Sequence, residues 1–82
     1  MASPIRIHVL TDVKCKRRRD RSETYNFAAV TVDSAIVQCF MDEKHAQVCK
    51  GATVVLNGCK VSGKSERTTI VITKETKVRR LV

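Results

Sequence analysis

At 82 residues the chain has room for one small core, burying about 60% of the surface that its unfolded form exposes, and a two-lobed enzyme with an interdomain cleft is excluded. Sixteen Lys and Arg against eight Asp and Glu leave a net charge of +8, a field that favours a polyanionic partner: nucleic acid, an anionic membrane face or an acidic protein. No apolar run reaches the length of a bilayer span or a signal peptide, so the expected location is nuclear or cytoplasmic.

Val, Ile, Ala and Thr dominate the apolar and small residues, a strand-forming mixture. Ile5, Ile7 and Val9 alternate with Arg6 and His8, which predicts a half-buried strand over residues 5–15. The basic run 16–21 interrupts it, because no core accepts six consecutive polar and charged side chains. A second strand is expected over 23–33 and a third over 35–40, joined by a tight turn at Asp33-Ser34. Residues 42–50 carry acids first, Lys50 last and Gly51 as a stop, the charge order that a helix dipole favours, and predict one helix of about two turns. Further strands are expected over 52–61, with an irregularity at Gly58, and over 68–74, which the basic tail continues. Five strands and one short helix make an all-β domain spanning 1–82. Closing the sheet into a small barrel removes its edges and lets the helix plug one end.

This order resembles the OB-fold, the five-stranded Greek-key barrel. Phe27 to Phe40 (FAAVTVDSAIVQCF) and Lys50 to Gly58 (KGATVVLNG) resemble the single-strand-binding domains of the replication protein A family. In that family the second strand ends in an apolar residue plus Asp, and the third ends in an aromatic before a polar helix. The resemblance implies a non-catalytic domain that binds single-stranded nucleic acid, DNA ahead of RNA, and places Phe40 at a base-stacking position.

The charges fit that reading. Lys14, Lys16, Arg17, Arg18, Arg19 and Arg21 fall between the first two strands, and Lys60, Lys64 and Arg67 near the loop between the last two. In an OB barrel these two loops flank the groove, so the cations converge on one rim as phosphate contacts. The same basic run also fits a solvated hairpin tip or a nuclear-import tract. Tyr25 and Phe27, two apart, share one strand face. With Phe27 read as core, Tyr25 lies inward at the barrel mouth; if that face is the groove, both stack.

Other chemistries fare worse. Gly58 to Ser65 matches the G-x-x-x-x-G-K-[ST] phosphate loop, but that loop needs a following helix, and ERTTIVIT is strand-like. Cys15, Cys39, Cys49 and Cys59 contain no CxxC pair and read as free, buried thiols; Cys39, Cys49 and Cys59 with His45 match no zinc spacing. His8 and His45 sit in no catalytic constellation, and neither a cofactor nor a small-molecule substrate is expected. The absence of a basic amphipathic helix argues against membrane attachment. The alternative function is an OB-fold protein-interaction module, a subunit of a larger DNA- or RNA-maintenance complex, docking a protein partner or a second copy by its helix or an edge.

Overall fold

Alternation of β-branched residues with polar ones leaves each segment one apolar face to bury, and the segments meet this need by pairing into a single sheet. The computed structural model describes residues 4–17, 24–63 and 68–81. Its strands are β1 (Ile5–Val9), β2 (Lys14–Arg17), β3 (Thr24–Val32), β4 (Ala35–Met41), β5 (Thr53–Asn57), β6 (Lys60–Ser62), β7 (Thr69–Ile72) and β8 (Lys77–Arg80). They form an eight-stranded sheet in the order β6-β7-β4-β3-β1-β5-β8, with β2 beside β3. All pairings are antiparallel except that of β4 with β7. β5 and β6 lie towards opposite ends of this order, yet only Gly58 and Cys59 separate them in the chain. Three peptide steps reach at most about 11 Å, so the sheet must curl strongly, as a small barrel does. Gly58, at φ +81°, supplies a bend that an L-residue adopts only under strain.

The inward positions are aliphatic. Ile7 and Val9 of β1, Ala28 and Val30 of β3, Cys39 and Met41 of β4, Val54 and Leu56 of β5, and Ile70 and Ile72 of β7 are all buried. Two buried polar side chains are satisfied. Asn26 Nδ2 donates to the carbonyls of Asp42 at 3.0 Å and Met41 at 3.4 Å. Thr76 Oγ1 accepts from the Thr73 amide at 2.9 Å and donates to the Gly58 carbonyl at 3.1 Å, tying the bend after β5 to the bend after β7.

Several expectations need correction. Residues 42–50 form turns, and there is no helix among the described residues. Nine residues repay helix nucleation poorly without an apolar face to dock, and this segment offers the core little besides Val48. It instead makes isolated bonds, Val48 N–H to the His45 carbonyl and Ala52 N–H to the Cys49 carbonyl, each 3.0 Å. Val48 and Ala52 are buried, so two small apolar side chains fill that end where a helix was expected. The described residues form eight short strands, where five longer ones were expected. The predicted 5–15 strand breaks at residues 10–13, where Thr11 Oγ1 accepts from the Ala29 amide at 3.1 Å in place of a ladder carbonyl. The predicted 52–61 strand breaks at Gly58, and the basic tail forms β8 against β5. Phe27 is not core. Asn26, Ala28 and Val30 take the inward phase of β3, so Phe27 is half-buried on the outer face.

Candidate nucleic-acid interface

The outer face is assembled by register. In a sheet, residues opposite one another across a ladder point to the same side. Lys14 pairs with Phe27, Phe27 with Phe40, Phe40 with Val71, and Val71 with Lys60. One row therefore runs Lys14–Phe27–Phe40–Val71–Lys60 across β2, β3, β4, β7 and β6. Neighbouring strands lie ~4.8 Å apart, so the row is about 19 Å long. Above it sit Lys16 and Tyr25, also paired. Below it Ala29, Gln38, Thr69 and Ser62 form a small and polar row, in which the Ser62 and Thr69 hydroxyls are hydrogen-bonded at 2.8 Å.

The chain has one Tyr, two Phe and no Trp, and all three rings meet on this face. Ring centroids are 6.0 Å apart for Tyr25–Phe27, 5.8 Å for Tyr25–Phe40 and 6.4 Å for Phe27–Phe40, with mutual tilts of 40°, 55° and 41°. These are tilted contacts, which the ring quadrupole favours over a face-to-face sandwich. Each ring is half-buried, leaving part of its π surface open to a ligand.

The structure thus brings together five of the predicted residues: Lys14, Lys16, Tyr25, Phe40 and Lys60. The lysines differ from expectation in position. Lys14, Lys16 and Arg17 belong to strand β2, and Lys60 opens β6, because an edge strand accepts charges whose stems lie along the sheet. Arg17 pairs with Thr24 on the alternate phase and so points away from the rings. Arg18, Arg19, Arg21, Lys64 and Arg67 lie outside the described residues. Val71 was missed as a member of the face, and Phe27 entered it only as the alternative to a core position. The signal for Phe27 was available: a two-residue turn at Asp33-Ser34 dictates the pairing of 27 with 40.

The remaining chemistry is sparse. Among the described residues no group of three His, Cys, Asp or Glu side chains could hold a metal ion. No described helix is long and apolar enough to cross a membrane. Gly58, first in the phosphate-loop match, is followed by strand β6, and the next described element is strand β7 rather than a helix. Burial pushes the Cys39 thiol up to about 12, with a smaller contribution from Cys59, whose own thiol is raised by burial. Comparison with protein-family models gives no match, and no curated protein matches the sequence.

Proposed function

We propose that this domain binds single-stranded nucleic acid, DNA in the first instance, across the outer face of β2, β3, β4, β7 and β6, without catalysis. One observation carries the reading: every Phe and Tyr ring of the chain is left out of the core, half-buried on the outer face in one cluster, with a lysine at each end of its row. Buried rings contribute much to a small core, and this core forgoes them. Bases stack on Tyr25, Phe27 and Phe40 at roughly 1–3 kcal/mol each, and Lys14, Lys16 and Lys60 meet the phosphates. Arg18, Arg19 and Arg21 follow β2 in the sequence and Lys64 and Arg67 follow β6, further cations for phosphate outside the described residues, whereas Arg17 points away from the rings. Such contacts read stacking and charge rather than base edges, so sequence selectivity is low.

The strand pattern supports an OB-type barrel. β1 with β2, β5 with β6, and β7 with β8 act as halves of bent strands, which leaves five composite strands. Their pairings run β1/β2 to β3, β4, β7/β8, β5/β6 and back to β1.

Labelled oligonucleotides in fluorescence anisotropy test the proposal. Single strands are expected to bind more tightly than duplex, and Phe40→Ala to weaken single-strand binding roughly five- to hundredfold, the equivalent of one lost stack. Equal binding to duplex, or no effect of Phe40→Ala, would overturn it. The competing reading, a protein-docking module, draws on a different place. A largely apolar mouth of about 580 Å³ opens between Pro4, Ile5, Val32, Val37, Val61 and Ile70, with Arg6 and Asp33 also in its lining, and Val61 is 55% exposed. Val61→Ser would weaken a protein partner and leave oligonucleotide affinity intact.

A further inference from the structure

A second cationic surface lies on the other flank of the sheet. Arg6 pairs with Val55, and Val55 with Arg79, which puts two exposed arginines on the outer face of β1 and β8 with one small residue between them. Lys77, opposite Asn57, stands two residues before Arg79 and on the same side. Strand spacing sets Arg6 and Arg79 about 10 Å apart, and Lys77 and Arg79 about 7 Å apart. The next row holds His8 and Thr53, joined by a 3.0 Å hydrogen bond between Nδ1 and Oγ1. No carboxylate and no Phe, Tyr or Trp ring occurs in these rows. A face that serves only solubility intersperses both signs of charge; these rows carry cations alone, with carboxylates only at their margin, where Asp33 lines the same mouth as Arg6 and Glu75 precedes Lys77 by two residues. The chemistry of this face differs from that of the ring face, because it offers charge and hydrogen-bond donors without a Phe, Tyr or Trp ring for a base to stack on.

We infer that the β1–β5–β8 face is a second contact for the nucleic-acid backbone, holding phosphates through Arg6, Lys77 and Arg79. The inference rests on the nucleic-acid reading above and adds a path to it: a strand longer than the ring face continues round the curled sheet onto this one. Arginine suits the task, since its planar fork grips phosphate oxygens in pairs. A short oligonucleotide occupies only the ring face, whereas a long one uses both.

The test compares single strands of about 4 and about 16 nucleotides, the limits of site size for such folds, on the wild-type protein and on Arg6→Ala/Lys77→Ala/Arg79→Ala. The triple variant should bind the short strand as the wild type does. For the long strand, the slope of log affinity against log salt should become shallower by about 2, three phosphate contacts at roughly 0.7 each. Arg6→Lys/Arg79→Lys should restore most of that slope, and thermal melting monitored by circular dichroism should show both variants folded. An unchanged long-strand slope would overturn the inference while leaving the ring face intact. Binding of the long strand alone, sensitive to the triple variant but not to Phe40→Ala, would support the second face and reject the stacking site. No binding of either strand would reject both. Loss of affinity for an acidic peptide instead of the long strand would overturn the assignment of this face to nucleic acid.

Discussion

Placing both phenylalanines and the tyrosine outside leaves a core of Ile, Val, Leu, Ala, Met and Cys, and individual core residues carry correspondingly clear signatures. Cys39 is the clearest. Its thiol is fully buried among aliphatic neighbours, and its pKa is raised from 9.0 to about 12 by desolvation first and by Cys59 second. Below pH 9 the thiol is neutral in both folded and unfolded chains, and its full contribution to stability is present. Between about 9 and 12 the unfolded chain loses this proton and the folded one keeps it. Stability therefore falls as pH rises through that window, by up to ~1.4 kcal/mol per pH unit from this group. Urea unfolding between pH 8.5 and 10.5 checks this: the wild type should lose stability more steeply than Cys39→Ala, whose lower baseline reflects a small cavity. Equal slopes would contradict the buried, protonated thiol. The exposed Cys15 should react with thiol reagents in the native protein while Cys39 stays protected.

Among the elements, the hairpin joining β3 to β4 does most to position the rings. Val32 pairs with Ala35, so Asp33 and Ser34 form the two-residue loop, at φ +49° and +70°. Both central residues in the left-handed region match the I′ turn, for which Asn-Gly is preferred. Asp33→Asn/Ser34→Gly should stabilise the domain by about 0.5–1 kcal/mol, raising Tm by several degrees; a lower Tm in differential scanning calorimetry would show that Ser34 makes a contact worth more than the relieved strain. The turn was legible in the sequence, and with it the register that joins Phe27 to Phe40. The phase of β3 was not, because both phases carry apolar residues: Tyr25, Phe27 and Ala29 on one, Ala28, Val30 and Val32 on the other. Volume favours the rings inside, and the choice is made by tertiary context, since Asn26 finds two carbonyls at the inward position. Charge order at 42–50 suggested a helix for a similar reason: it reports what a helix tolerates, whereas the connection from β4 to β5 is made by turns. The breaks at residues 10–13 and at Gly58 depend on how far the sheet must curl, which only the closed pairing pattern reveals.

For the whole molecule, charge and curvature combine. A net charge of +8 on a body with principal extents of 35 × 28 × 23 Å produces attraction to any polyanion, so affinity alone does not identify a site. The rings do, and they offer their own probe. Tyr25 is the only tyrosine and the chain has no tryptophan, so intrinsic emission reports from the proposed stacking surface, in contact with both of its other rings. Titration with a single-stranded oligonucleotide, corrected for its absorbance, should quench Tyr25 emission saturably, with the same midpoint as anisotropy of a labelled strand. In Phe27→Ala/Phe40→Ala that midpoint should move to much higher concentration, with melting temperature held within a few degrees. Binding seen by anisotropy with Tyr25 emission unchanged would mean that the strand is held by charge elsewhere, and would contradict the ring face as the site.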